Sequence, residues 1–339
     1  MRDSVDQLPR PALVSRIADA LDQGSVLLVA GPGYGKTTAL AEALATRSAA
    51  WVRCAPFHRD PGRLLESIVA ALRDASPGVA DVVAERMHAP GGPPLDVAAL
   101  ARTLADELER LLVDPLTVVF DDAESLEGSD VAIELVRDLL AVRNARLSVA
   151  IATRRPLPLR AAKLVASGRL AELGPADLAF TVQECAELVE LRGGRTPSPS
   201  EAEELWAATE GWPLAAALVA SGERFHPRQL TEVEALTAFV AEEVLDPLPD
   251  PLRDGLIDSS VAPELDPDLV AALGLPDGFL TAIAGHGVPL RRLDSDGGRY
   301  AHHPLIRDLL RDRLLRTRPP ERRRELHAGC AAWLEAAGR

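Results

Sequence analysis

The residues with the clearest chemistry form a glycine-rich loop after a short apolar strand. The run is Ala30-Gly31-Pro32-Gly33-Tyr34-Gly35-Lys36-Thr37-Thr38, and it follows the strand candidate at 26–29. In such a loop the glycines let successive backbone N–H groups turn towards phosphate oxygens, and the following helix adds the positive end of its dipole. Lys36 is expected to reach the β- and γ-phosphates, and the Thr37 hydroxyl to bind Mg²⁺. We therefore predict that residues 30–38 bind a nucleoside triphosphate, because Gly-Lys-Thr after a buried strand is not typical of an ordinary turn.

A second apolar run supplies the carboxylates that such a loop needs. The strand candidate at 116–120 leads directly into Asp121 and Asp122. Mg²⁺ prefers carboxylate and water oxygens, so Asp121 is predicted to hold the metal through water. Asp122 is predicted to orient or deprotonate the attacking water. The alternative is that the two aspartates only cap the turn after the strand, and the neighbouring phosphate loop favours the catalytic interpretation.

A third apolar strand ends in two arginines, Arg154 and Arg155. The carboxyl ends of parallel strands line the ligand crevice of such sheets. An arginine there could sense the γ-phosphate and stabilise charge in the transition state. We favour Arg154 because it is closer to the strand end. Arg155 is the competing candidate, and a solvated surface arginine is the alternative for either.

The elements that position these residues alternate between short apolar strands and amphipathic helices up to about residue 152. This alternation predicts an α/β fold with a parallel sheet and helices on both faces. Asp96 is expected to cap a helix with an apolar face. The predicted strands span 49–54, 116–120 and 147–153, the predicted helices span 61–74 and 130–142, a loop covers 88–94, and the apolar face comprises Leu100, Leu104, Leu108 and Leu111.

Beyond Pro175 the strand–helix alternation stops. Capping boxes at Thr181 and Ser200 predict helices, and further helices run through Trp206 and over 213–220. These elements predict a small helical lid. Short helices from residue 231 onward, a β-hairpin around 294–298 and an apolar-faced helix after it indicate a winged helix. A last helix is predicted over 321–337.

Four regions follow from this pattern. We expect a nucleotide-binding α/β domain at 1–175, a helical lid at 176–228 and a winged-helix domain at 229–316. Residues 317–339 are expected to begin a helical linker.

Composition narrows the possible functions. The net charge is −14, and no apolar run approaches the ~18 residues of a membrane span. The N-terminus lacks the apolar core of a signal peptide, and Cys54, Cys185 and Cys330 suit neither a disulfide framework nor a metal cluster. We expect a cytoplasmic protein without membrane attachment. Direct DNA binding is disfavoured, because contacts to DNA phosphates dominate the affinity for DNA and an acidic protein repels them. Residues 291–324 are a basic exception, with eleven arginines against five acidic residues.

The ordered set of motifs resembles one family. It looks like the ATPase half of the large ATP-dependent LuxR-type transcriptional regulators, typified by the maltose regulator MalT. These regulators are STAND NTPases related to NB-ARC modules, and they usually have Ala at the position of Ala30. The motifs are the glycine loop, Asp121-Asp122, Thr153-Arg154-Arg155-Pro156, Asp177-Leu178-Ala179-Phe180-Thr181, Thr209-Glu210-Gly211-Trp212-Pro213-Leu214 and His303-Pro304-Leu305-Ile306-Arg307-Asp308-Leu309-Leu310.

The resemblance implies a switch. ADP would hold a closed, inactive monomer, and exchange for ATP with Mg²⁺ would open it and permit self-association, with slow hydrolysis as the reset. Pro213 would contact the adenine side, His303 would reach a phosphate of ADP, Arg154 would fill the sensor position, and the segment 8–11 would flank the base. By themselves, Pro213 is an ordinary first-turn proline and His303 an ordinary packing residue.

Two further expectations follow from this family. Its members continue into a sensor domain that binds an inducer and a DNA-binding helix-turn-helix, so this chain is expected to be either a piece of such a protein or a stand-alone version. Two other functions remain open at this stage. One is a P-loop kinase for a small acceptor, and the other is a nucleotide-dependent winged-helix binding module.

Overall fold

The computed structural model describes residues 7–88, 96–220, 234–294, 298–336 and 338. The chain divides into two compact units. The sheet unit comprises Arg10–Ala30 and Gly35–Leu178, and the helical unit comprises Met1–Pro9, Gly31–Tyr34 and Ala179–Arg339. The predicted loop beyond His88, the tip of the predicted hairpin turn at 295–297, the end of the predicted lid at 221–228 and residue 337 lie outside the described residues.

The sheet unit is built on five parallel strands. They pair in the order β2-β3-β4-β1-β5, and the interior strand β3 is buried along its whole length. Continuous burial explains why its sequence is apolar without alternation. The predicted parallel α/β sheet is thus confirmed. The strands are β1 Ser25–Val29, β2 Ser48–Arg53, β3 Leu116–Asp121, β4 Leu147–Thr153 and β5 Leu170–Leu173.

The strand β5 was not predicted from the sequence. It has four residues and includes Glu172, so it has no apolar run of its own. Its conformation depends on parallel pairing with β1, in which Val26 faces Ala171. A tertiary partner therefore decides this element.

Eight helices flank the sheet within the described residues of this unit. Asp96 caps α5 as predicted, with its carboxylate accepting from the Ala99 amide at 3.0 Å. Leu111 is the exception to the predicted apolar face: it is 49% exposed, because α5 ends there and the chain leaves the core. The helices are α1 Pro11–Gln23, α2 Lys36–Ala43, α3 Pro61–Ala75, α4 Asp81–Met87, α5 Val97–Leu111, α6 Asp130–Ala141, α7 Ala162–Ala166 and α8 Pro175–Leu178.

The helical unit begins with the predicted capping box, in which the Thr181 hydroxyl and the Glu184 carboxylate each accept from the other residue's amide. The second predicted cap is wrong by two residues. Ser198, not Ser200, caps the next helix, because Pro199 occupies its first turn. The helices are α9 Val182–Gly193, α10 Pro199–Thr209, α11 Pro213–Val219, α12 Glu234–Val240 followed by a π-turn at Ala241–Leu245, α13 Asp250–Ser259, α14 Pro267–Ala272, α15 Phe279–Gly285, α16 Pro304–Thr317 and α17 Pro320–Ala336.

A small antiparallel sheet completes this unit. Its strands are β6 Glu264–Leu265, β7 Leu290–Arg292 and β8 Tyr300–His302, paired in the order β6-β8-β7. The predicted pairing of the two hairpin strands is confirmed, and β6 is an additional strand. None of the helices in the described ranges combines the length and apolarity needed to cross a membrane.

The histidine at the end of β8 predicts a pH-dependent stability. His302 is 3% exposed, and its Nε2 lies 3.1 Å from the Ser259 hydroxyl. That hydroxyl donates to the Leu256 carbonyl, so it accepts from His302 and leaves Nδ1 without a hydrogen-bond partner among the described residues. Burial, assisted by the charge of Arg307, lowers the pKa of His302 from 6.5 to about 4.

We therefore expect acid to destabilise the fold through His302. The unfolded chain takes up a proton below pH 6.5 before the folded one does, so the free energy of unfolding falls between pH 6.5 and about 4, by about 3 kcal/mol for a shift of this size. Denaturant unfolding of the parent and of His302→Gln at several pH values in this interval measures the change in the free energy of unfolding. The exposed His286→Gln is the control. Equal pH slopes in the parent and in His302→Gln would contradict the assignment.

Candidate functional site

The predicted phosphate-binding loop connects β1 to α2, and its residues are divided between the two units. Ala30 and residues 35–38 belong to the sheet unit, and residues 31–34 belong to the helical unit. Ala30 donates its amide to the Thr153 carbonyl at 3.2 Å, which fixes the loop start beside the end of β4. Gly35 has φ of +75° at the N-cap of α2, a conformation that favours glycine. No atom lies within 4 Å of where its Cβ would stand, so the backbone rather than packing requires glycine there.

Lys36 and Thr37 begin α2. The Lys36 Nζ donates to the Ala30 carbonyl at 2.7 Å, which folds the side chain back over the loop. The Thr37 hydroxyl contacts both carboxylate oxygens of Asp121, at 2.9 and 3.1 Å. Asp121 is the last residue of β3 and is 3% exposed. The structure therefore brings together the two predicted metal ligands, Thr37 and Asp121, and both Thr37 and Thr38 are exposed.

These oxygens suit Mg²⁺. A hydroxyl and a carboxylate are hard donors, and Mg²⁺ usually takes one or two carboxylates together with water and phosphate oxygens. The described residues contain no group of three or more His, Cys, Asp or Glu that could hold a metal. Burial raises the pKa of Asp121, and the Thr37 hydrogen bond opposes that rise.

The surroundings of Lys36 are acidic. Partial burial lowers the pKa of its ammonium group, and the nearby carboxylates oppose this effect. Glu124 acts most strongly among them, followed by Asp122 and Asp121, while the charge of Arg154 acts in the opposite sense. Lys36 is thus under the electrostatic influence of three carboxylates and one guanidinium group at the end of the sheet.

Asp122, the predicted general base, lies just beyond β3 in a left-handed backbone conformation. Its φ of +54° falls in the left-handed region, which is uncommon for a residue other than glycine. Its carboxylate lies 3.5 Å from the Nε atom of Arg53, and both side chains are solvent-accessible. The side chain is accessible to water, as the predicted role requires.

Arg154, the predicted sensor, is held by a residue that sequence reasoning missed. Its backbone amide donates to the Glu124 Oε2 atom at 3.0 Å, and its Nε lies 3.0 Å from Oε1 of the same carboxylate. Glu124 stands in a 3₁₀ turn at Ala123–Leu126, directly after the Asp121-Asp122 pair. The sequence feature that could have identified Glu124 is its position, three residues after the end of the buried strand β3.

The neighbouring Arg155 has a different partner. Its guanidinium pairs with the Glu127 carboxylate, whose side chain is half exposed. The Arg154 contact involves the more buried carboxylate, with a side-chain exposure of 15% for Glu124 against 47% for Glu127. Arg154 is also the arginine whose charge influences Lys36. The choice of Arg154 over Arg155 as the sensor stays a prediction.

The tip of the loop is held within the helical unit. The indole N–H of the fully buried Trp212 donates to the Pro32 carbonyl at 3.0 Å, and the Leu214 amide donates to the Gly33 carbonyl at 3.1 Å. A Cβ on Gly33 would come within 2.8 Å of Leu214, and the φ of Gly33 is +76°. Both packing and backbone conformation therefore require glycine at this position. Tyr34 stacks against Trp212 with ring centroids 6.3 Å apart. Trp212 is thus a loop contact that the sequence did not identify.

The two residues assigned by resemblance lie beside Trp212. Pro213 is buried at the first turn of α11. His303 is 4% exposed, donates from Nε2 to the Thr209 carbonyl at 2.7 Å and packs edge-on against Trp212. Burial lowers the pKa of His303, and the Glu210 carboxylate opposes this.

The Nδ1 atom of His303 is buried and has no hydrogen-bond partner in the part of the chain that the structure describes. A phosphate oxygen could satisfy it if Nδ1 carried a proton. Because Nε2 donates to Thr209, the neutral ring leaves Nδ1 without a proton, so the phosphate contact requires the doubly protonated ring and stays a prediction.

Comparison with known proteins agrees with these features. Residues 19–157 match the AAA domain family, and residues 241–322 match the family of MalT winged helix domains. The order of the two matches, an AAA domain and then a MalT winged helix domain, agrees with the resemblance that the motifs predicted.

Two curated relatives are HTH-type transcriptional regulators named MalT. The protein of Serratia proteamaculans is 27% identical over 90% of this chain, and that of Cronobacter sakazakii is 26% identical over 90%. Each alignment covers 35% of the relative, so the chain spans about a third of the length of the curated relatives it matches.

Among solved structures, a Walker-type ATPase of Pyrococcus abyssi aligns over 91% of this chain and 97% of its own, with a TM-score of 0.57 and 17% identity. At this identity the similarity shows the fold alone, which is that of a P-loop ATPase. A STAND protein with a tetratricopeptide repeat sensor from Pyrococcus horikoshii aligns over 98% of this chain and 49% of its own, with a TM-score of 0.48 and 17% identity.

Proposed function

We propose that this chain is the nucleotide-dependent switch module of a MalT-like transcriptional regulator. The observation that carries the proposal is the contact between the Thr37 hydroxyl and the Asp121 carboxylate, next to Lys36 at the start of α2. In this interpretation Lys36 binds the β- and γ-phosphates of ATP, and Thr37 and Asp121 hold Mg²⁺. When bound, Mg²⁺ neutralises charge on the phosphates.

Hydrolysis in this proposal is slow and depends on two residues. Asp122 takes the proton of the attacking water, for which its exposed carboxylate is suited. Arg154 stabilises negative charge on the transferred phosphate. The product ADP would return the module to its resting state.

The loop tip supports a switch rather than a simple hydrolase. Residues 31–34 are joined through the chain to the sheet unit on either side, yet Trp212 and Leu214 donate to the Pro32 and Gly33 carbonyls within the helical unit. A change in the phosphates that alters the loop tip must therefore alter these hydrogen bonds. A ligand shifts a conformational equilibrium only by its differential affinity for the two states, so the proposal requires ATP and ADP to act differently on this loop tip.

The proposal has a direct test. Sedimentation velocity of the chain with ADP and with a non-hydrolysable ATP analogue is expected to show a monomer with ADP and self-association with the analogue. Calorimetry on the same samples measures both affinities. Saturable binding with identical sedimentation in both states would leave a nucleotide-binding protein without the proposed switch. If neither nucleotide bound, the proposed function itself would be wrong.

His303 is expected to retain ADP. His303→Ala removes the ring that contacts Thr209 and Trp212 and the Nδ1 atom proposed to contact a phosphate. Since hydrogen bonds to charged groups contribute about 1.5–3 kcal/mol, we expect ADP to dissociate about 10- to 100-fold faster. Stopped-flow displacement of a fluorescent ADP analogue measures this rate.

His302→Ala is the matched control, because His302 is equally buried but contacts Ser259 instead. If ADP dissociated from His303→Ala at the parent rate, the proposed phosphate contact would be wrong.

A further inference from the structure

One carboxylate at the end of the sheet is not explained by metal binding or by water activation. Glu124 contacts Arg154 at two points, the backbone amide and Nε, both at 3.0 Å. Its side chain is 15% exposed, whereas the Arg154 side chain is 34% exposed. Both contacts depend on the fold, because the two residues are 30 positions apart.

Topology places this pair at the phosphate end of the sheet. Glu124 follows β3 and Arg154 follows β4, and these strands are parallel neighbours. The start of α2 follows β1, which is the other neighbour of β4. Glu124 is moreover the carboxylate with the largest electrostatic influence on Lys36. The pair therefore lies within electrostatic reach of the lysine that is proposed to bind the terminal phosphates.

We propose that Glu124 determines the nucleotide preference of this site: by neutralising Arg154 close to Lys36, its carboxylate weakens binding of the triphosphate relative to the diphosphate. This inference rests on the proposed nucleotide site and specifies its regulation. It makes Glu124 a positioning and specificity-determining residue that acts through Arg154.

The difference in charge between ATP and ADP explains the expected preference. ATP carries about one more negative charge than ADP, and that charge is on the terminal phosphate. Arg154 alone would attract it, but Arg154 and Glu124 together are neutral. Because charges interact more strongly at a partly buried site than in water, removing the carboxylate charge should favour the nucleotide with the extra phosphate. ADP is expected to be affected less because it lacks that group.

The same carboxylate also holds Arg154 in place. Of its two oxygens, one accepts from the backbone amide and one from the side chain. Glutamine at this position keeps an acceptor oxygen but has no charge, whereas alanine removes charge and contacts together. The two substitutions thus separate the effect of charge from that of position.

The test is calorimetric titration of the chain with Mg²⁺-ATP and with Mg²⁺-ADP, for the parent, Glu124→Gln and Glu124→Ala. We expect Glu124→Gln to bind ATP about tenfold more tightly, which corresponds to about 1.4 kcal/mol. ADP affinity should change by less than about threefold, since the extra charge is absent. Glu124→Ala should move the ratio of the two dissociation constants in the same direction.

Glu127→Gln is the matched control. Glu127 pairs with Arg155, the neighbour of Arg154, and its substitution should leave the ratio unchanged. Glu124→Asp keeps the charge and is expected to keep the parent ratio, which provides a second measurement should the glutamine variant not fold.

The outcomes are distinguishable. An equal change in both affinities would indicate a purely structural role for Glu124 and overturn the inference, and so would a ratio shifted towards ADP. If the parent binds neither nucleotide, the proposed function fails and the inference with it. If the parent binds both and Glu124→Gln leaves the ratio unchanged, only the inference fails.

Discussion

Lys36→Ala is expected to reduce the affinity for ATP and ADP by about 10- to 100-fold or more, because charge-assisted hydrogen bonds contribute about 1.5–3 kcal/mol each. The chain offers no substitute for this ammonium group, since Lys36 and Lys163 are its only lysines. In the structure Lys36 donates to the Ala30 carbonyl of the loop itself. Binding would exchange this neutral acceptor for a charged phosphate.

Isothermal titration with Mg²⁺-ATP and Mg²⁺-ADP measures the loss. Lys163→Ala is the control, because this exposed lysine lies on α7 in the same unit. The two variants change the net charge equally, so nonspecific electrostatics cannot produce a difference between them. Unchanged affinity in Lys36→Ala would show that the loop does not bind the phosphates.

Asp122→Asn is expected to bind ATP like the parent and to lose hydrolysis. A positioned general base contributes about 10²- to 10⁴-fold to a rate, and asparagine cannot take the proton. Binding should persist because Asp121, not Asp122, contacts Thr37. The amide also keeps the short polar side chain that tolerates the left-handed backbone at this position.

Phosphate release at saturating ATP measures the rate, and calorimetry confirms that the site is filled. Asp22→Asn is a suitable control, since Asp22 is an ion-paired aspartate of the same unit that pairs with Arg47. Undiminished phosphate release by Asp122→Asn would place the base elsewhere. Loss of ATP binding would instead indicate that Asp122 belongs to the metal site.

The two variants together separate binding from chemistry. Lys36→Ala acts on every nucleotide-bound state, whereas Asp122→Asn is expected to leave the ATP-bound state populated. If the switch proposal holds, the second variant should remain self-associated in ATP for longer than the parent. Sedimentation of both proteins after addition of ATP measures that difference.

The sequence by itself determined the local features of this protein. The loop at 30–38, the buried strand before Asp121 and the strand before Arg154 could all be located without a structure. Each consists of neighbouring residues whose type fixes the backbone: glycine permits positive φ, and a continuous apolar run requires burial. The capping box at Thr181 is local in the same sense, since its hydrogen bonds join residues three apart.

Tertiary structure decided the contacts that give these features their function. Trp212 reaches Pro32 across 180 residues, and no spacing rule in the sequence predicts that hydrogen bond. Glu124 contacts Arg154 because β3 and β4 are neighbouring strands, and the sequence does not reveal that pairing. The strand β5 depends on β1 in the same way.

The physical reason is that local sequence controls backbone conformation, whereas strand order and helix packing control which distant side chains meet. A motif therefore located the phosphate loop. Only the folded chain revealed that the tip of this loop is hydrogen-bonded to Trp212 and Leu214, and that the arginine at the end of β4 is already paired with a carboxylate.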